Sequence, residues 1–220
     1  MDFTTAILGI LFVDLLALVS PGPNFVIVTS AAAGRSRTEA TTIAIGIATG
    51  TFVWAFSTAV GLTALFEAAP TIGKILRIVG VAYLLYLGVK LVRSTGMQAA
   101  ETEEESRGAV SKPTNARYTD GHGAISRAFL TGFIVNITNP KSIVYYGSVF
   151  AVFLAPGFSP ILIAVLVIAI TAMAFLWYVM LAFVFSAKAV QRRYVRASKI
   201  IDRACGVLLL GLGVKLALDG

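Results

Sequence analysis

Ser20-Pro21-Gly22-Pro23-Asn24, near the start of the chain, and Asn139-Pro140-Lys141, in its second half, decide how this sequence is read. Each lies well inside a stretch that is otherwise apolar enough to cross a bilayer. Proline brings no backbone donor, and its ring clashes with the carbonyl four residues earlier, so a helix breaks there. In hydrocarbon the freed backbone groups are tolerated only where they face protein or a water-filled cavity. A matched pair of interrupted helices, one in each half, points to the binding site of a secondary transporter.

The composition agrees that lipid is the solvent. Of 220 residues, 57% are hydrophobic and only 13% charged, and the mean hydropathy is +0.85. A soluble domain carries about 25% charged residues. Residues 40–66 contain no ionisable side chain, and neither do residues 142–187 apart from tyrosines. A span takes roughly 20 apolar residues. The longer run therefore holds the end of one helix and the whole of the next, with Pro156-Gly157-Phe158-Ser159-Pro160 as the turn. The net charge of +7 comes from residues that flank these runs. No basic face is interleaved with exposed aromatics, so nucleic acid is not an expected partner. One cysteine, Cys205, excludes an intramolecular disulfide and a Cys-x-x-Cys redox centre. One histidine, His122, leaves no soft metal cluster. No cofactor is implied, and the chain reads as a non-enzyme. Met1-Asp2-Phe3 lacks the basic start of a cleaved signal peptide, so the first span is expected to be retained.

Six spans are expected, at about residues 4–33, 40–66, 71–92, 125–155, 160–187 and 200–218. The first and fourth are long, as broken or tilted helices are. Residues 94–124 form the one real linker, rich in Glu, Ser, Thr and Gly, and read as a flexible hinge. The flanking halves, 1–93 and 125–220, resemble each other. Arg77-x-x-Gly80-Val81 leads to Leu87-Gly88-Val89-Lys90-Leu91, and Arg203-x-x-Gly206-Val207 leads to Leu212-Gly213-Val214-Lys215-Leu216. Pro23 corresponds to Pro140, and Trp54 to Trp177. The expected fold is thus an all-α polytopic membrane protein of two three-helix repeats, its first and fourth helices broken. Three is odd, so consecutive copies are inverted in the membrane. Fourteen basic residues flank one side, from Arg35 to Arg203, against Lys74, Arg77 and Lys215 on the other. The positive-inside rule then places both termini outside.

The breaks carry the chemistry. Pro21 frees the carbonyl of Ala17, Pro23 that of Val19 and Pro140 that of Asn136. Gly22 is expected to supply the backbone freedom of the joint. Each following half-helix starts with unsatisfied N–H groups and a partial positive charge that suit a carboxylate, while the carbonyl ends of the preceding halves suit an ammonium. Two opposed breaks therefore suit a small zwitterion, an amino acid. Lys141, at mid-span, costs roughly 2.5–3.5 kcal/mol on insertion scales and should face a cavity or a partner. It is a candidate for pairing with a substrate carboxylate or alternating with a proton. A structural ion pair with Asp14, read as the only carboxylate deep in the apolar region, is the other possibility. Asp14 lies two turns before Pro21 on the same face, and it too is a candidate proton carrier. Asn24, Asn136, Thr138 and Asn139 either line a cavity or cap the broken ends. Tyr145, Tyr146, Trp54, Trp177 and Tyr178 either gate the path or pack.

At these residues the chain resembles a known family. Leu18-Val19-Ser20-Pro21-Gly22-Pro23-Asn24-Phe25 is similar to the first-helix signature of the LysE/RhtB superfamily of amino-acid exporters. Asn136-x-x-Asn139-Pro140-Lys141 resembles its second-half counterpart. Arg35-Ser36-Arg37-x-Glu39-Ala40, Tyr145-x-Gly147-Ser148-Val149-Phe150 and Ile201-Asp202-Arg203 look most like the homoserine/threonine branch. The resemblance implies efflux of a neutral or hydroxylated amino acid by proton antiport across the bacterial inner membrane. Asn24 stands where relatives carry Asp. A thiol-disulfide relay would need paired cysteines and a metal exporter would need intramembrane ligand clusters, so neither fits. A channel or a non-transporting membrane scaffold stays open at this level.

Overall fold

A computed structural model describes residues 3–93, 121–154 and 158–218. Those residues form eight helices and no strand: α1 (Phe3–Val19), α2 (Pro23–Gly34), α3 (Arg37–Ala68), α4 (Pro70–Val92), α5 (Gly121–Ile137), α6 (Pro140–Phe153), α7 (Pro160–Val184) and α8 (Lys188–Leu218). The expected linker lies outside the described residues, except for its last four, which open α5.

Both breaks occur where proline demands them. α1 and α2 meet at 50° across the Ser20–Gly22 joint. α5 ends at Ile137, and α6 restarts at Pro140. Proline stands at the first position of α2, α4, α6 and α7, where its missing donor costs nothing. Side-chain caps complete the starts. The Ser36 hydroxyl accepts from the Glu39 amide at 3.1 Å, the first half of a capping box. Glu39 also pairs with Arg35. Asn139 Oδ1 accepts from the Lys141 amide at 2.9 Å, and Ser159 Oγ from that of Leu162 at 3.3 Å.

Three helices, α3, α4 and α7, are individually long and apolar enough to cross a membrane, and the bent α1–α2 pair is a fourth candidate. The expectation of six spans is met only to that extent. α5 is apolar but short, and α8 is basic along its first half. That half corrects the expected loop between spans five and six: the helix begins at Lys188, twelve residues ahead of the expected start at Ile200.

The outer surface is apolar, with Ile161, Ile200 and Ile78 exposed by 75%, 72% and 70%. Such a sheath suits acyl chains and would be costly in water. Inside, α3 packs most extensively on α5 and α7, and α4 on α8. Small residues allow these approaches, as between helices in lipid. A Cβ on Gly46 would run into the Phe129 carbonyl, and one on Gly132 into that of Ile43. On α4 and α8, a Cβ on Gly206 would come within 2.7 Å of the Gly88 carbonyl oxygen. Two buried clusters result, one around Ile10, Leu84 and Phe150, the other around Val28, Ile47 and Leu181. The α1–α2 joint spans both.

Candidate functional site

The three carbonyls freed by proline at the two breaks each find a partner. The Lys141 ammonium donates to the Ala17 carbonyl at 3.1 Å and reaches that of Ser20 at 3.5 Å. The Tyr194 hydroxyl donates to the Val19 carbonyl at 2.7 Å. Asn136 O accepts from the Asn139 amide at 3.3 Å in a tightened last turn. The second break thus delivers its lysine, from the first turn of α6, onto the carbonyl end of α1 at the first break. Charge and dipole agree there, since the C-terminus of a helix attracts a cation.

Around this contact lies a cavity of about 40 Å³, lined by Asp14, Ser20, Gly22, Asn24, Thr51, Asn136, Asn139, Lys141, Ser142, Tyr145, Tyr146 and Tyr178, among others. At ~10–15 Å³ per water, that space takes a few waters and is too tight for an amino acid. Asp14, Asn24, Asn136 and Asn139 are all buried. Three acceptor oxygens on this lining, Asp14 Oδ2, Asn24 Oδ1 and Asn136 Oδ1, have no hydrogen-bond partner. Buried acceptors are rarely left so. Tyr145 adjoins Asp14, but its hydroxyl is likewise unpartnered and closes no bond of ordinary geometry. Asn136 is tied to α3 through its Nδ2, which donates to Thr51 Oγ1 at 3.4 Å.

Several expectations need correcting. Lys141 makes no ion pair with Asp14; its ammonium is held by backbone carbonyls instead. Asp14 is not the one deep carboxylate, because Asp202 is 3% exposed and accepts from the Ser20 hydroxyl at 3.1 Å. Gly22 has φ −160°, an extended backbone open to any residue. A Cβ there would meet Lys141 Cδ and Nζ only at 3.9 Å, an ordinary contact, so neither backbone nor space demands glycine at this joint. Pro21, Pro23 and Pro140 shape the joints without contributing to the lining. Asn139 both caps α6 and lines the cavity, whereas Thr138 is exposed and bonds the Ile134 carbonyl at 2.7 Å. Of the aromatics, Tyr145, Tyr146 and Tyr178 line the cavity. Trp54 and Trp177 pack beside the two cores. Thr51 and Tyr194 had not been singled out at all, and Asp202 only as part of the Ile201-Asp202-Arg203 resemblance, not as a site residue. Tyr194 also stacks on Phe25, with centroids 4.5 Å apart, and Phe185 stands edge-on to both.

With its described residues helical, three helices apolar enough to cross a bilayer and an apolar outer surface, the chain is a helical membrane protein. It belongs to the LysE type translocator family, whose model matches residues 15–220. It is 31% identical to a threonine efflux protein of Salmonella typhi over 207 residues, 94% of this chain and 95% of that one. The threonine efflux protein of Escherichia coli K12 is 32% identical over 216 residues, covering 96% and 97%. A leucine efflux protein of Enterobacter sp. 638 is 25% identical over 221 residues, covering 99% and 95%. No solved structure matches the chain.

Proposed function

We propose that this protein is a secondary exporter of a small neutral or hydroxylated amino acid, threonine-like or homoserine-like, working by proton antiport in the bacterial inner membrane. The observation that carries this reading is the placement of the Lys141 ammonium on the Ala17 and Ser20 carbonyls at the end of α1, beside a cavity rimmed by Asp14 and three asparagines. Those groups form the complement of a zwitterion. Carbonyl ends suit its ammonium; the half-helix starts at Pro23 and Pro140, with Lys141, suit its carboxylate. The asparagines and Tyr178 offer neutral bonds that suit a hydroxylated side chain. Asp14 and Lys141 are the groups to exchange protons during a cycle. Membership of the translocator family and the names of the efflux relatives support the same reading.

The proposed architecture is six crossings as two inverted repeats, residues 1–93 and 125–220, with the 94–124 linker in the cytoplasm and both termini outside. The bent pair α1–α2 would be span one, and α5–α6 span four. The packing of α3 on α7 and of α4 on α8 supports this, because each pairs an element with its counterpart in the other half. The basic first half of α8 would then lie on the cytoplasmic side.

Proteoliposomes loaded with unlabelled amino acid test the function. Labelled L-threonine, L-homoserine or L-leucine added outside should accumulate transiently above equilibrium. Absence of saturable counterflow across the neutral amino acids would overturn the exporter reading.

A further inference from the structure

The α1 carbonyl end is suited to hold an ammonium, and it is already taken. Ala17 O and Ser20 O accept from Lys141 Nζ, a cation carried on α6 and 124 residues away from Ala17 in sequence. Meanwhile the oxygens of Asp14, Asn24 and Asn136 that lack partners are all acceptors. What they lack is a donor. The same Ser20 whose carbonyl reaches Lys141 gives its hydroxyl to the Asp202 carboxylate. A second carboxylate therefore stands one residue from the occupied cup, on a different helix from the first.

We infer that Lys141 is a tethered occupant of the substrate's own ammonium site. The incoming primary ammonium displaces Lys141 Nζ from Ala17 O and Ser20 O, and the released lysine meets the substrate carboxylate. Asp202 and Asp14 share the two positive charges during the exchange. This inference rests on the zwitterion reading above and adds an order of events to it. The cup never stands unsatisfied in low dielectric, since a carbonyl end that loses one cation gains the other. It also explains why a cavity with room for a few waters serves a larger solute, because the lysine side chain vacates space as it moves. A consequence is selectivity against simple amines: an amine can take the cup but brings no carboxylate to receive Lys141, so it cannot pay for the displacement.

Thermal shift of the purified protein in detergent, with methylammonium chloride as the probe and tetramethylammonium chloride as the non-donating salt control, tests this. The wild type should show the same melting temperature in both salts. Lys141→Met should show a saturable rise in methylammonium alone, together with at least a tenfold weaker response to L-threonine. Lys141→Cys, with Cys205→Ser, is the second variant. It should respond to methylammonium before treatment with 2-aminoethyl methanethiosulfonate and lose that response afterwards, when a tethered ammonium has been restored. A wild type that responds to methylammonium as strongly as the variants would overturn the inference, as would variants that respond to neither salt. Failure of amino-acid counterflow in the wild type would instead strike the exporter reading, leaving the methylammonium result to judge occupancy of the cup.

Discussion

At the scale of the residue, the account turns on which groups hold Lys141. A buried ion pair and a lysine on backbone carbonyls make opposite predictions for a double variant. Were Lys141 and Asp14 structural partners, removing both would relieve the uncompensated charge left by removing one, a penalty of about 3–5 kcal/mol. Since the Lys141 ammonium bonds Ala17 and Ser20 instead, Lys141→Met and Asp14→Asn should each lower counterflow at least tenfold, and the double variant should not recover. Recovery to near the wild-type rate would contradict the site. Asp202 makes a second test, because it accepts from the Ser20 hydroxyl. Ser20→Ala deletes that bond while keeping the Ser20 carbonyl. It should leave the protein folded and slow transport several-fold, whereas an unchanged rate would remove the Ser20–Asp202 bond from the mechanism.

Among elements, the joint between α1 and α2 is stabilised from a distance. Tyr194 on α8 satisfies the carbonyl of Val19 and stacks on Phe25 of α2, thereby touching both sides of the break. Tyr194→Phe keeps the stack and orphans the carbonyl, at a cost of about 1–3 kcal/mol, visible as a lower melting temperature; no change would mean that the carbonyl finds another donor. The helix–helix approach is testable in the same way. Gly46→Ala should lower the melting temperature because its Cβ would strike the Phe129 carbonyl, while Gly61→Ala on the same helix, with nothing within 4 Å, should leave it equal or slightly higher. Much at this scale was legible in the sequence. Proline removes a donor wherever it stands, so the freed carbonyls of Ala17, Val19 and Asn136 followed from chemistry alone. The partners of Ala17 and Val19 did not, because a contact across 124 or 175 residues leaves no local trace. Charge also misled. The basic stretch after Ala187 reads as a loop by hydropathy, yet residues 188–205 contain no proline or glycine to end a helix, and α8 runs through them. Reading that stretch as a loop hid Tyr194.

For the whole molecule, orientation and the transport site are the two claims that reach beyond individual contacts. Single cysteines at Thr38 and Lys199, both exposed positions beside the basic side, placed in a Cys205→Ser background, should resist an impermeant maleimide applied to intact cells. One at Lys74, exposed at the start of α4 on the other side, should react. The reverse pattern would overturn both the orientation and the inverted-repeat arrangement. The central claim is that paired helix breaks make the amino-acid site, and healing them tests it most directly. Alanine at Pro21, Pro23 and Pro140 restores every donor that proline removes at the two breaks, and proline in a helix interior costs about 3 kcal/mol relative to alanine. The measurement is L-threonine counterflow in proteoliposomes for the wild type and the Pro21→Ala, Pro23→Ala, Pro140→Ala triple variant, each with its melting temperature. The predicted result is a transient overshoot in the wild type and none in the triple variant, whose melting temperature is equal or higher. A triple variant that exchanges L-threonine at the wild-type rate would contradict the account.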